Sequence, residues 1–231
     1  MRSPIRRSPP QHPARDLPQA YRLMFERFGH QHWWPGDTPF EVCVGAILTQ
    51  NTNWGNVERA IANLKAGGVL EPARLYALEP SQLAELIRPA GYFNVKTRRL
   101  RSFLGVLIEN HGGRLDSLFA ADTATARQAL LAINGIGPET ADSMLLYAGG
   151  HPSFVVDAYT RRIFLRHQWS AAEVSYGALQ QRCERVLQGN SNLLDYWQDY
   201  HAQIVMVGKH FCRPRSPDCA ACPLRPLLPT L

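Results

Sequence analysis

The spacing of apolar residues along the chain predicts a helical protein. Tyr21, Met24, Phe25 and Phe28 recur at three- and four-residue steps, which is the period of one helix face. Residues 40–48 are apolar on nearly all sides, as expected for a buried helix. Comparable patterns continue towards position 211, and the one strand-like run, residues 152–156, is too short to build a sheet. We therefore predict an all-α fold of about ten helices.

One turn in this pattern carries candidate chemistry. Gly135 and Gly137 flank a single residue between two predicted helices, and Pro138 suits the first turn of the second helix. Glycines allow a tight turn and a close backbone approach, and the first amides of a helix attract anions. The turn therefore predicts either a phosphate site for DNA or an ordinary connection between helices.

A lone carboxylate follows this turn. Asp157 comes directly after Val155 and Val156, at the predicted start of a helix. An aspartate at that position caps a helix, and a carboxylate also stabilises positive charge that develops on a reacting sugar. The two roles are compatible, and we expect both.

Tryptophans supply the second candidate feature. Trp33 and Trp34 are adjacent in a polar loop, and Trp54 follows the polar residues 49–53. Aromatic faces stack on bases and attract cationic bases most strongly. The alternative for each ring is a place in the core.

Net charge and the distribution of apolar residues indicate the kind of partner to expect and argue against a membrane protein. The net charge of +6 suits a polyanion partner. No apolar run reaches the roughly 18 residues of a membrane span, and the arginine-rich N-terminus lacks the apolar segment of a secretory signal. We expect residues 1–16, with four arginines and four prolines, to form a disordered basic tail that either adds weak DNA affinity or has no role.

The motif of residues 133–141 together with Asp157, twenty residues past Gly137, resembles the helix-hairpin-helix and aspartate of the endonuclease III superfamily of DNA glycosylases. The resemblance extends from about Leu17 to Cys222. It implies that Gly135 and Gly137 bind the phosphate backbone and that Asp157 is catalytic. It also implies a two-lobed fold with DNA between the lobes: residues 37–157 as one lobe, and residues 17–36 with 158–231 as the other.

Three further segments, residues 33–35, 45–52 and 88–94, are similar to the endonuclease III-like 3-methyladenine DNA glycosylases. This similarity implies an alkylated base held between aromatic rings at Trp34 and Trp54, with Trp33 as a third candidate of the base pocket. It also implies that Gln50 enters the duplex where the base has left. The alternative for Gln50 is an ordinary glutamine at a helix end.

One departure from the superfamily decides the expected reaction. Bifunctional members carry a nucleophilic lysine two residues after the second hairpin glycine, and here that residue is Glu139. A carboxylate cannot form a Schiff base. The resemblance therefore implies a monofunctional glycosylase, in which Asp157 acts without an amine nucleophile. A carboxylate alone suffices most readily for a good leaving group such as an alkylated purine.

The C-terminal cysteines form a separate motif. Three of the five cysteines, Cys212, Cys219 and Cys222, follow one another with six and two intervening residues, and the odd total argues against a disulfide framework. The motif resembles the [4Fe–4S] loop of the superfamily, but Leu228 stands at the position of the fourth cysteine. A cluster, a zinc ion and a loop without metal remain open, and the expected role is structural.

The resemblance thus implies a base excision repair enzyme that acts on double-stranded DNA carrying a damaged base. We expect a monomer in the cytoplasm, associated with the bacterial nucleoid. Three rival functions stay open. They are an endonuclease III-type lyase on oxidised pyrimidines, a mismatch adenine glycosylase, which would be expected to carry a further C-terminal domain, and a non-catalytic DNA-binding protein that uses the hairpin alone.

Overall fold

A computed structural model describes residues 13–33 and 36–229 of the chain. Within these ranges there is no β-strand, which confirms the predicted all-α fold. The twelve α-helices are α1 Pro13–Phe28, α2 Pro39–Leu48, α3 Trp54–Ala66, α4 Pro72–Ala77, α5 Pro80–Leu86, α6 Phe93–His111, α7 Leu115–Leu118, α8 Thr123–Leu131, α9 Pro138–Met144, α10 Ala158–Arg166, α11 Tyr176–Val186 and α12 Leu193–His210. Short helices such as α4 and α7 raise the number above the expected ten.

The helices form two compact units. One unit contains residues 13–33 together with residues 154–229. The other unit contains residues 36–153. The chain passes from one unit to the other between Ser153 and Phe154, whereas we expected this boundary after Asp157. The reason is that Phe154 packs edge-on against Trp197 and Tyr200 of α12. Asp157 therefore belongs to the unit of α10–α12.

The unit of α2–α9 is built around a continuous apolar core. Helix α2 is buried along most of its length, as its nearly uniformly apolar sequence predicts. Thr38 caps α2 and Asn53 caps α3, each by accepting a hydrogen bond from a backbone amide of the first turn. The core contains one buried lysine, Lys96 of α6, whose ammonium donates to the carbonyl oxygens of Leu48 and Ala90 at 2.7 Å each.

The other unit is assembled on α12. The ring of Tyr21 from α1 stacks on Tyr200 with 5.6 Å between centroids, and its hydroxyl donates to Asp199 at 2.8 Å. Met24 is buried as predicted, but Phe25 of the same predicted face is 41% exposed. No helix in the described part of the chain is long and apolar enough to cross a membrane.

The prediction of a disordered tail over residues 1–16 is wrong for its last four residues. Helix α1 begins at Pro13, inside the segment expected to be disordered, because proline suits a first helical turn and Asp16 stabilises the positive N-terminus of the helix. The rest of that segment, and Trp34, lie outside the described residues.

Candidate active site

The predicted hairpin joins α8 to α9, and its two glycines differ in kind. Gly135 has φ +89°, and a Cβ at this position would collide with the side chain of Arg99. Gly137 has φ −93° and would place a Cβ in open space. Gly135 is therefore required by the fold, whereas Gly137 leaves the backbone open to close approach.

The N-terminus of α9 lacks a side-chain cap, unlike most of the longer helices. Gly137 is its N-cap residue and offers no hydrogen-bonding side chain. Side chains accept hydrogen bonds from first-turn amides at the starts of α2, α3, α8, α10, α11 and α12. At the start of α9, as at the start of α6, no side chain accepts a hydrogen bond from the first amides, and Glu139 is the acidic residue of the first turn of α9.

A buried ion pair fixes the two hairpin helices together. Asp142 of α9 is fully buried and accepts two hydrogen bonds from the guanidinium of Arg127 of α8, at 2.7 and 3.0 Å. The hydroxyl of Ser153 donates to the same carboxylate at 2.6 Å. Such a bidentate, fully hydrogen-bonded pair holds the hairpin rigid.

Gln50 lies against the hairpin. Its amide nitrogen donates to the carbonyl oxygen of Gly135 and to the hydroxyl of Thr140, both at 3.0 Å. Arg99 donates in turn to the amide oxygen of Gln50. The side chain that the resemblance places in the duplex is therefore held by three partners in the DNA-free protein.

The two described tryptophans of the candidate pocket have different surroundings. Trp54 begins α3 and packs at the edge of the core, where a Cβ at Gly45 would lie 3.5 Å from its ring. Trp33 is half-buried and stacks on His201 of α12, with 5.7 Å between ring centroids and 23° between planes. They belong to separate units.

Asp157 caps α10, as predicted. One carboxylate oxygen accepts from the Thr160 amide at 2.7 Å and from the Thr160 hydroxyl at 2.8 Å. The other lies 3.6 Å from Nε2 of His201. Burial raises the pKa of Asp157, but the interactions with His201 and Thr160 outweigh it and leave the pKa below the ordinary value. Asp157 is therefore a partly buried carboxyl group whose surroundings favour the ionised form.

His201 was not predicted as a site residue. It is 6% exposed, and it contacts both Trp33 and Asp157. The available signal was a histidine inside the otherwise apolar face of α12, a position where a buried polar side chain needs a partner.

The position of the lyase lysine is occupied by Glu139, and Lys96 and Lys209 lie elsewhere in the chain. Glu139 is exposed in the first turn of α9. Lys96 is buried between two carbonyl groups in the unit of α2–α9, and Lys209 is exposed in the last turn of α12. Burial and the nearby Arg99 lower the pKa of Lys96 to about 8.

The three C-terminal cysteines line one cavity of about 220 Å³, with Leu228 also in its wall. The guanidinium of Arg166 donates to Sγ of Cys212 at 3.2 Å. Among the described residues, no three His, Cys, Asp or Glu side chains are close enough to hold a single metal ion. The three thiols of this cavity are the residues that would hold a metal or cluster, and Leu228 cannot supply a fourth ligand.

The chain is similar to known DNA repair proteins. Residues 44–188 match the model of the HhH-GPD superfamily of base excision DNA repair proteins. A candidate DNA repair glycosylase of Methanocaldococcus jannaschii is 44% identical over 90% of this chain and 93% of its own length. The H. pylori 3-methyladenine DNA glycosylase bound to 1,N6-ethenoadenine superposes with a TM-score of 0.71 at 27% identity, covering 84% of this chain and 97% of that one.

A non-covalent endonuclease III–DNA complex matches with a TM-score of 0.79 over 93% of this chain and 94% of that one, and its 21% identity shows the shared fold. The family match covers more than half of the chain, and the archaeal relative aligns over nearly all of it. This protein therefore belongs to the HhH-GPD superfamily of base excision DNA repair glycosylases.

Proposed function

We propose that this protein is a monofunctional DNA glycosylase that hydrolyses the N-glycosidic bond of an alkylated purine such as 3-methyladenine. The observation that carries the proposal is a partly buried Asp157, held by Thr160 and 3.6 Å from His201, in a chain whose lyase-lysine position holds Glu139. We further propose that it acts as a monomer on double-stranded DNA in the cytoplasm.

Asp157 is the catalytic residue of this reaction. As the glycosidic bond breaks, its electron pair leaves with the base and positive charge develops on the sugar. The Asp157 carboxylate stabilises that charge, and it accepts a proton from the water that attacks the sugar carbon. A base that is already cationic leaves as a neutral molecule, so no separate general acid is required.

The tryptophans select such a base. An electron-rich ring attracts a cationic base more strongly than a neutral one. Trp33 is supported by its stacking on His201, which also contacts Asp157. The relative bound to an ethenoadenine supports a purine pocket. We assign the same stacking role to Trp34 and Trp54.

The hairpin and Gln50 act on the DNA around the lesion. The uncapped start of α9 at Gly137 binds a backbone phosphate, and the turn at Gly135 shapes that site. Gln50 fills the space left by the extruded base. To do so, its amide gives up its hydrogen bonds to the Gly135 carbonyl and the Thr140 hydroxyl and forms hydrogen bonds to base edges instead.

The proposal is tested with duplexes that each carry one alkylated, deaminated or oxidised base. We expect release of free 3-methyladenine and no adduct on borohydride treatment. Release of oxidised pyrimidines with a trapped adduct would instead establish a lyase. DNA binding without release of any base would establish the non-catalytic alternative.

Replacement of His201 by glutamine is expected to move the acid limb of the activity profile to higher pH. Asp157 works when ionised, so base release is lost as pH falls through its pKa, which lies below the ordinary value. Without His201, burial remains and an opposing interaction is gone, so the pKa rises. Single-turnover rates from acid to neutral pH measure this shift. Exposed His210 in the same helix gives the control His210→Gln, and coincident profiles for all three proteins would refute the role of His201.

We also propose that Cys212, Cys219 and Cys222 hold a [4Fe–4S] cluster, in which Leu228 supplies no ligand to the fourth iron. When bound, it would organise the C-terminal loop, where Arg213, Arg215 and Arg225 are exposed towards solvent and available for DNA phosphates. Protein purified without oxygen is expected to be brown and to contain iron. Cys219→Ser should lose both properties while Cys183→Ala retains them, because Cys183 is buried in α11. An iron-free, colourless anaerobic preparation would contradict this assignment.

A further inference from the structure

A concavity that contains two arginines lies next to the hairpin on the unit of α2–α9. It is an open concavity with a volume of about 680 Å³. The residues that line it are Pro80, Thr97, Arg98, Arg101, Ser102 and Asn134. We call this concavity the α6 groove, because four of these residues belong to α6.

The α6 groove is positively charged. Its lining contains two arginines and no carboxylate. Arg98 is exposed, and in the part of the chain that the structure describes its guanidinium has neither an ion pair nor a hydrogen bond. Arg101 donates to the carbonyl oxygens of Leu78 at 2.8 Å and Tyr76 at 3.3 Å. These neutral acceptors fix Arg101 in place without cancelling its charge.

The groove also contains polar groups that lack partners. Thr97 is 4% exposed, and its hydroxyl has no hydrogen-bond partner among the described residues. Asn134 is exposed and precedes Gly135 in the hairpin turn, and within the same ranges its amide is not hydrogen-bonded. Buried polar groups without protein partners are often satisfied by a bound ion or water.

We propose that the α6 groove binds a backbone phosphate of duplex DNA, adjacent to the phosphate held by the hairpin. The inference rests on the proposed function in one respect, namely that the hairpin binds DNA. Two observations favour DNA over a free anion. The groove is open and much larger than one phosphate, and Asn134 makes it continuous with the hairpin. Two adjacent phosphate sites fix the direction of the strand as well as its position.

The experiment compares Arg98→Ala with Arg114→Ala in equilibrium binding to a fluorescent, undamaged duplex. Arg114 is an exposed arginine of the same unit, paired with Asp116 and outside the groove. The affinity is measured at salt concentrations between about 50 and 200 mM. Loss of one phosphate contact reduces the magnitude of the slope of log K against log salt by about 0.9. We expect this reduction for Arg98→Ala and no change for Arg114→Ala.

The possible results separate the two proposals. Equal slopes for the wild type and Arg98→Ala would overturn the site, and so would equal reductions for both variants. Heat released on titration with inorganic phosphate and lost in Arg98→Ala, with unchanged DNA slopes, would replace DNA by a small anion. Undamaged DNA is used, so a reduced slope supports the groove even if no damaged base is released. Arg98 is exposed, and circular dichroism verifies that both variants fold.

Discussion

Asp157→Asn is expected to lower the rate of base release by about 10²–10⁴-fold, the range observed when a catalytic acid, base or charge-stabilising group is removed. Asparagine keeps the size of the side chain and still accepts a hydrogen bond from the Thr160 amide, so the cap on α10 survives. The negative charge that stabilises the sugar is lost. Single-turnover release of free base measures the effect.

The control for this variant is Asp195→Asn, which removes an exposed aspartate from the first turn of α12. Its rate should match that of the wild type. DNA affinity should be unchanged in both variants, since neither aspartate is placed at a phosphate site. An Asp157→Asn protein that releases base at the wild-type rate would eliminate Asp157 as the catalytic residue.

Alanine at Gly135 and at Gly137 should have opposite consequences for stability and binding. At Gly135, φ of +89° and the collision with Arg99 should lower the free energy of unfolding by about 2–3 kcal/mol. At Gly137 the backbone is unstrained and the Cβ meets no atom within 4 Å, so the loss should stay within about 1 kcal/mol.

DNA affinity distinguishes the two glycines further. A methyl group at Gly137 would stand where the phosphate approaches the first amides of α9, so Gly137→Ala should weaken binding although it folds normally. Urea denaturation measures the stability of both alanine variants, and fluorescence anisotropy measures their DNA affinity. Full DNA affinity in Gly137→Ala would show that the hairpin does not hold a phosphate at this point.

The all-α fold was predictable because short sequence patterns indicate where its helices and turns lie. The almost entirely apolar sequence of α2 forms a buried helix, and the Gly–Ile–Gly sequence forms the turn before α9. Asp157 caps its helix as its position suggested. The superfamily was recognisable because those residues recur at a defined spacing. The short helices α4 and α7 were missed because four to six residues contain too few positions to show a helical period.

The contacts of the candidate site were less predictable, because they join residues far apart in sequence. His201 lies 44 positions after Asp157, and Arg99 lies 49 positions after Gln50. Hydrophobic periodicity says which face of a helix is buried, but not which polar side chain on it meets a carboxylate. The unit boundary was misplaced for a related reason, since the partners of Phe154 are in α12.

The burial of Lys96 makes folding a proton-releasing reaction in mildly alkaline solution. Its folded pKa of about 8 lies below the ordinary value of 10.5, so between these values the folded protein binds fewer protons than the unfolded chain. The free energy of unfolding therefore rises with pH across that window. A neutral amine retains two N–H groups, as many as the carbonyls of Leu48 and Ala90 accept. Calorimetry in buffers of different ionisation enthalpy would detect the released proton, and a buffer-independent heat would show that Lys96 stays charged.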